Sequence, residues 1–461
     1  MTRIAIDTNR NLGSLDRRVY GGFVEHLGRC IYGGLYEEGS PLADDRGFRL
    51  DTLALLKDLR LSVLRWPGGN FVSNYHWQDG IGPKDTRPVR PELAWGGTES
   101  NRFGTDEYIE YCNSERATYW ADKRRANGHD APHGVSWWGL GNEIYGPWQV
   151  GAKSAEEYVA EAVRWARAIK MIDPTVRLVS CGELGWTDWD RKVIDGLAPH
   201  VALHSLHLYT GSDDYWTNQL APHATERAIE TTVALLKRAA YNQKLEAAPR
   251  IVYDEWNVWF RDHTGALEER YVFHDALAVG TYLNVFVRNC AWVTMANLAQ
   301  MVNAIAPVVT TPETAVVQPI YYPFLLHAQG HLARAVDAFV DGPVVEAPAE
   351  QLSRWPHRVD DLGPFSLVDA AATVDEGMTK LACTLVNRSE EPEEVELSLR
   401  DGAFTGTARL RTVTGTGRRS PVPGVEEADV SEGSEKASGS SVTLVLPARS
   451  FTLVEVALAR V

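Results

Sequence analysis

A chain of 461 residues is longer than one hydrophobic core usually organises, so one large domain joined to a smaller one is expected. Hydrophobic residues make up 44% and charged residues 23%, and no apolar run approaches the ~20 residues needed to span a bilayer, which excludes a membrane protein. The net charge of −15, with no cluster of Lys and Arg, excludes nucleic acid as a partner and favours a neutral small molecule or polymer.

Residues 1–18 mix charges with short apolar pairs and lack the apolar centre of a secretory leader, so a cytoplasmic protein is expected. From about Tyr20 to Pro323, short β-rich runs alternate with segments of helical period, the pattern of an α/β protein on a parallel sheet. The strands are expected at 22–26, 61–66, 135–140, 176–181, 201–206, 250–253 and 291–296. Between them, Ser154 and Glu157 form a capping box ahead of Tyr158, Ala162, Trp165, Ile169 and Ile172, and helices are also expected over 228–240 and 267–286. After about Ala335 the texture becomes alternating, with strands expected at 379–386, 393–399, 408–413, 441–446 and 451–458 and a mobile loop over 414–439. This predicts a catalytic (β/α) barrel over 13–335 and an antiparallel β-sandwich over 336–461, completed by residues 1–12.

The cysteines Cys30, Cys112, Cys181, Cys290 and Cys383 are odd in number, far apart and without a C-x-x-C pair, so they read as reduced core thiols rather than disulfides or a zinc site. Several of the 15 tryptophans, Trp77, Trp95, Trp148 and Trp259 among them, fall in loops beside polar residues, where indole faces suit sugar rings.

Polar residues collect where the expected strands end: Glu25 and His26, Arg65 with Gly68 to Asn70, Asn142 and Glu143, Glu183, His207 with Tyr209, Asp254 and Glu255, and Gln300 with Asn303. The carboxyl ends of parallel strands form one rim, so these residues are expected to converge on one site. Glu143 and Glu255 stand out because each follows a hydrophobic strand. Glycosidic cleavage needs such a pair, one carboxyl protonated to assist the departing oxygen and one ionised to attack or stabilise an oxocarbenium-like centre. Asn142 is placed to bond the sugar hydroxyl beside the reacting carbon. His204 and His207 are three apart on a strand and face opposite sides, so no metal site is expected there; His207 is expected to orient a carboxylate or a sugar hydroxyl, and His204 to be core.

Phe23-Val-Glu-His-Leu-Gly28, Arg65-Trp-Pro-Gly-Gly-Asn70, Trp138-Gly-Leu-Gly-Asn-Glu143, Asp254-Glu-Trp-Asn257 and Ala299-Gln-Met-Val-Asn303 resemble, in order, the signature segments of glycoside hydrolase family 51 α-L-arabinofuranosidases. The resemblance implies a retaining, exo-acting enzyme on a TIM-type (β/α)8 barrel, without a cofactor, acting on arabinose-containing oligosaccharides of arabinan or arabinoxylan, and a homo-oligomer, with a hexamer as the expected form. By the same resemblance Glu143 matches the general acid/base and Glu255 the nucleophile. Glu25, Asn70, Asn142, Tyr209 and Gln300 match residues that hold the arabinose, and Arg65 and Trp95 match residues lining its pocket.

One departure stands out: residues 113–134 contain no apolar run long enough for a buried parallel strand, so the barrel is expected to lack its third strand-helix unit, with one short helix over 106–112 after a Thr105 cap. That opens two alternatives to a working arabinofuranosidase: an impaired, sugar-binding homologue, or a related retaining glucanase or xylanase.

Overall fold

In the computed structural model, residues 1–109, 134–264, 266–347, 359 and 361–459 are described. Among them, seven parallel strands form one sheet in the order Leu64–Arg65, Gly21–Phe23, Val293–Ala299, Arg250–Val258, Leu203–Thr210, Arg177–Ser180 and Trp137–Gly139. Helices return the chain between strands, as parallel pairing requires. Ala155–Ile172 begins at the Ser154 capping box with Glu157, and Ala224–Asn242 and Phe273–Arg288 follow. Residues 267–272, expected to be helical, precede the last of these as loop.

The two edges of this sheet, Leu64–Arg65 and Trp137–Gly139, flank the place of the third strand of a closed eight-stranded barrel. The expected omission of that strand concerns residues 113–134, which, Gly134 apart, lie outside the described residues. The short helix expected there begins one residue early, as Thr105–Ile109, so Thr105 is its first residue and not its cap.

The later strands run past their expected ends, to Thr210, Val258 and Ala299. In the first two extensions His207, Tyr209, Asp254 and Glu255 reach the central pocket while the backbone ladder continues.

Phe273–Arg288 is predominantly apolar and buried nearly all round, with the polar side chains Asp275, Thr281 and Asn284 buried among the rest. One side carries Tyr282 and Phe286 onto Trp256 and Tyr253 of the parallel sheet, with ring centroids 5.0–5.3 Å apart across the closest pairs. The other side packs Phe273, Ala276 and Leu277 against Phe451 and Leu453 of the C-terminal sheet. Gly280 allows this approach, since a Cβ there would lie 2.8 Å from the Phe451 ring.

The C-terminal sheet has nine strands, in the order Glu426–Lys436, Phe404–Arg419, Ser450–Leu458, Lys380–Asn387, Val368–Val374, Arg334–Asp341, Thr2–Ser14, Glu393–Leu399 and Ser441–Leu446. Period-two alternation divides its faces: Leu381, Cys383 and Leu385 meet Ile4, Ile6 and Val454 in its own core, while Ala382 and Val386 face the barrel helices. Two expectations are corrected here. The sheet is not purely antiparallel, because Thr2–Ser14 pairs in parallel with Glu393–Leu399; a strand arriving from the chain start has no hairpin to dictate its direction. Residues 414–439 are not a loop but most of a long hairpin, Phe404–Arg419 against Glu426–Lys436. Its polar composition reflects exposure, with Arg409 on Glu432 at 2.7 Å and Arg418 on Asp429 at 3.0 Å bridging the strands, while its tip seats Val422 and Val425 on Val309 and Val316.

The two sheets are also joined by buried charge. Asp369 accepts from Asn284 Nδ2 at 2.7 Å and from Arg288 Nη1 at 3.0 Å, and Arg288 also reaches Glu226 at 2.7 Å. Buried ions persist only when paired in this way. The described cysteines, Cys30, Cys181, Cys290 and Cys383, are buried free thiols, and among the described residues no helix is long and apolar enough to cross a membrane.

Candidate active site

The carboxyl ends of the parallel strands converge on one polar pocket. Glu143 sits in the turn after Trp137–Gly139, with its own φ at +44° following Gly141 at +115°. A non-glycine residue there costs on the order of 1–3 kcal/mol and must be held by its surroundings. Three donors do so: His207 Nδ1 at 2.9 Å, Trp148 Nε1 at 3.0 Å and the Tyr145 hydroxyl at 3.3 Å.

Glu255, on Arg250–Val258, accepts from Arg65 Nη1 at 2.8 Å on one oxygen and from the Tyr209 hydroxyl at 2.8 Å on the other. Arg65 also donates to Asn142 Oδ1 at 2.6 Å and to the Asp254 carbonyl at 2.9 Å, and it lies over the Phe23 ring at 4.2 Å. Asn142 in turn donates to Asn70 Oδ1 at 3.4 Å, and Gln149 donates to the same Asn70 oxygen. Glu25 is fully enclosed, accepting from Phe71 N at 3.0 Å, Trp95 Nε1 at 3.0 Å and Gln300 Nε2 at 2.8 Å. Gly68 and Gly69 let the backbone pass beneath these carboxylates: a Cβ on Gly69 would stand 3.0 Å from Glu255 Oε1 and 3.2 Å from Glu25 Oε2.

One atom each of Glu143, His207 and Glu255 lie within 4.8 Å of one another. His207 bridges the two glutamates, with Nδ1 at 2.9 Å from Glu143 and 3.5 Å from Glu255, while its Nε2 is 3.1 Å from Asp254 Oδ1. Burial works against a charged ring, but Glu255 and Asp254 overcome it and raise His207 well above its ordinary range. Both ring nitrogens thus face carboxylate oxygens, Nδ1 toward Glu143 and Nε2 toward Asp254. His204, by contrast, is buried against Ser180 at 2.9 Å and Asp190 at 3.0 Å. Burial pushes Glu143 up, but the bond and charge of His207 outweigh it and the carboxyl is lowered. Glu25 moves the other way, to about 7, through burial first and the charge of Glu255 second.

The ten residues expected to act on or hold the sugar meet in this pocket: Glu25, Arg65, Asn70, Trp95, Asn142, Glu143, His207, Tyr209, Glu255 and Gln300, whereas His26 turns to Glu99 at 2.8 Å. Asn303 and Glu183 do not join it through their side chains in the same way. Asn303 ties Arg29 O and the Thr310 backbone together, and Glu183 contributes its carbonyl to His207 N at 3.0 Å. Of the loop tryptophans, Trp95 and Trp148 bond pocket carboxylates and Trp259 packs edge-on against Tyr209 at 5.4 Å.

Sequence reasoning missed the side-chain role of Asp254. Along both ladders Asp254 is an extra residue: Tyr253 pairs with Leu206 and Glu255 with His207, and on the other side Tyr253 pairs with Ala296 and Trp256 with Leu298. Such a bulge re-aims side chains, so that adjacent residues both serve the pocket instead of facing opposite sides. The adjacent Asp254-Glu255 pair was the only signal in the sequence.

Residues 254–450 match the family model described as the α-L-arabinofuranosidase C-terminal domain, and residues 55–119 and 107–226 match that of the α-L-arabinofuranosidase 1 domain. A probable α-L-arabinofuranosidase C of Aspergillus clavatus is 38% identical over 498 residues, 98% of this chain and 96% of the relative. An intracellular exo-α-(1→5)-L-arabinofuranosidase 1 of Bacillus subtilis is 35% identical over 86% of this chain and 87% of its own length. The solved structure of a thermostable GH51 α-L-arabinofuranosidase from Thermotoga petrophila superposes with a TM-score of 0.88 at 33% identity, covering 99% of this chain and 100% of that one.

Proposed function

The chain belongs to the α-L-arabinofuranosidases of glycoside hydrolase family 51, and on that premise we propose that its pocket removes terminal α-L-arabinofuranosyl residues by double displacement, with Glu255 as nucleophile and Glu143 as general acid/base. The observation that carries this reading is the approach of the two carboxylates, an oxygen of each lying within 4.8 Å of the other. Retaining enzymes hold their carboxyls about 5–5.5 Å apart, whereas inverting ones need about 6.5–9.5 Å to seat a water between them.

Arg65 and Tyr209 donate to Glu255 and hold the carboxylate that attacks the anomeric carbon. As the C1–oxygen bond breaks, Glu143 gives a proton to the departing oxygen and the Glu255–C1 bond forms. In the second half, Glu143 takes a proton from water, whose oxygen replaces Glu255 on C1. Asn142 contacts the 2-hydroxyl, and Glu25, Asn70, Trp95 and Gln300 hold the rest of the furanose ring. Near neutral pH, Glu25 at about 7 exists in both forms and serves hydroxyls as donor or acceptor.

The natural substrates are terminal arabinofuranosides of arabinan or arabinoxylan oligosaccharides, with the (1→5) linkage favoured by the name of the Bacillus subtilis relative. The same name supports a cytoplasmic enzyme. A homo-oligomer, a barrel over 13–335 without its third strand-helix unit, and a sandwich of 336–461 completed by 1–12 belong to this reading. The sandwich division is supported by the seat of Thr2–Ser14 between Arg334–Asp341 and Glu393–Leu399.

The test is release of 4-nitrophenol from 4-nitrophenyl α-L-arabinofuranoside, beside the arabinopyranoside, xyloside and cellobioside. Rapid release from the furanoside alone is expected. Faster cleavage of the xyloside or cellobioside would select a xylanase or glucanase, and arabinose binding by a folded but inert protein would select a sugar-binding homologue.

A further inference from the structure

The bulge in Arg250–Val258 brings a third acidic side chain behind the two glutamates. Asp254 Oδ1 accepts from the Ser205 hydroxyl at 2.6 Å and lies 3.1 Å from His207 Nε2, and its Oδ2 is 4.0 Å from Arg65 Nε. The carboxylate is thus fixed from two sides and reaches Glu143 only through the His207 ring. We propose that Asp254 is a positioning residue: by accepting the Nε2 hydrogen of His207 it aims the Nδ1 hydrogen at Glu143 and keeps the imidazole cationic between the two glutamates. This rests on the reading of Glu143 as acid/base.

The chemical consequence concerns one proton. Before the glycosidic bond breaks it is shared between His207 Nδ1 and Glu143 Oε1, which lie 2.9 Å apart. With substrate bound it shifts to the Glu143 carboxylate and passes to the glycosidic oxygen as the C1–oxygen bond breaks. The water that later displaces Glu255 from C1 returns one proton to the pair, so the cycle closes with no other reactant. Because the two groups share the proton, they titrate as a unit, and the alkaline limb of the rate profile reports loss of that shared proton.

The groups facing His207 are identifiable. Glu143 and Tyr145 come from the turn after Trp137–Gly139, the Glu183 carbonyl from beyond Arg177–Ser180, Tyr209 from its own strand, and Asp254 and Glu255 from the neighbouring strand, with Arg65 and Glu25 behind them. Burial alone pushes Asp254 up, but Arg65 and His207 hold it down to about 2, so it remains an anion throughout any working range. A fixed anion beside Nε2 favours every protonated state of the His207–Glu143 pair. Removing it lowers the pH at which the pair loses its proton.

The test is the pH dependence of kcat/KM for 4-nitrophenyl α-L-arabinofuranoside in the wild-type enzyme and in Asp254→Asn. The alkaline limb is expected to move to lower pH by about one unit or more, the size of shift that one opposite charge at this range produces, with KM little changed because Asp254 stands behind the His207 ring, on the side away from Glu143. A lower rate with an unmoved alkaline limb would overturn the proposal and leave Asp254 as a brace for the bulge. If the variant does not fold, proton NMR of the wild-type imidazole decides, with the resonance assigned by its loss in His207→Gln. A downfield, slowly exchanging Nε2 hydrogen that persists up to the alkaline limb is expected, and its absence across the active range would overturn the idea. Inactivity of the wild-type enzyme on the furanoside would instead count against the function itself, so the two failures are distinct.

Discussion

Glu255→Ala is expected to lower kcat on 4-nitrophenyl α-L-arabinofuranoside by about 10⁴-fold or more, the scale of loss when a covalent nucleophile is removed. A good leaving group gives no relief, because the missing event is formation of the bond to C1. The change should leave the protein folded. Arg65 keeps its bonds to Asn142 and the Asp254 carbonyl, and Tyr209 keeps its packing on Trp259. Circular dichroism and thermal melting beside the kinetics separate lost chemistry from lost structure. Retention of more than about a hundredth of wild-type kcat by the folded variant would remove Glu255 from the nucleophile's role, since general acid–base effects alone span about 10²–10⁴-fold.

Glu143→Ala should behave differently, and the difference carries the assignment. A leaving group as acidic as 2,4-dinitrophenol departs without a proton, so formation of the glycosyl-enzyme is expected to stay within about tenfold of wild type. An arabino-oligosaccharide, whose departing alkoxide needs the proton, is expected to lose about 10²–10⁴-fold. With the dinitrophenyl substrate, the second half then becomes slow, because no base activates water. A burst of dinitrophenol followed by a slow steady rate is expected, and azide, which needs no base, should raise that steady rate and give a glycosyl azide of the substrate's own anomeric configuration. An equal loss on both substrates, or an azide product of the opposite configuration, would exchange the roles of Glu143 and Glu255.

Much of the site is legible in the sequence, because each catalytic candidate ends a hydrophobic strand and parallel strands end on one rim. Glu143 after Leu140 and Glu255 after Tyr253 are the clearest cases, and His207, expected from its place on a strand to face a carboxylate or a sugar hydroxyl, lies 2.9 Å from Glu143. What escaped depends on pairing rather than on local pattern. The bulge at Asp254 is a one-residue offset between neighbouring strands, and a run such as Ile251-Val252-Tyr253-Asp254-Glu255 reads the same with or without it. The hairpin Phe404–Arg419 with Glu426–Lys436 escaped for a related reason: much of it has no apolar face, so cross-strand bonds and ion pairs hold what alternation would otherwise announce. The parallel pairing of Thr2–Ser14 with Glu393–Leu399 joins residues nearly four hundred positions apart, beyond the reach of any local signal.

The stereochemistry of the product tests the central claim most directly. Hydrolysis of 4-nitrophenyl α-L-arabinofuranoside in aqueous methanol lets methanol compete with water at C1, and the methyl furanoside formed does not change configuration afterwards. Proton NMR of that product should show methyl α-L-arabinofuranoside, the outcome of two successive displacements at carboxylates held within 4.8 Å. Methyl β-L-arabinofuranoside would mean a single displacement, and would contradict the account of Glu255 as a nucleophile and of this pocket as a retaining one.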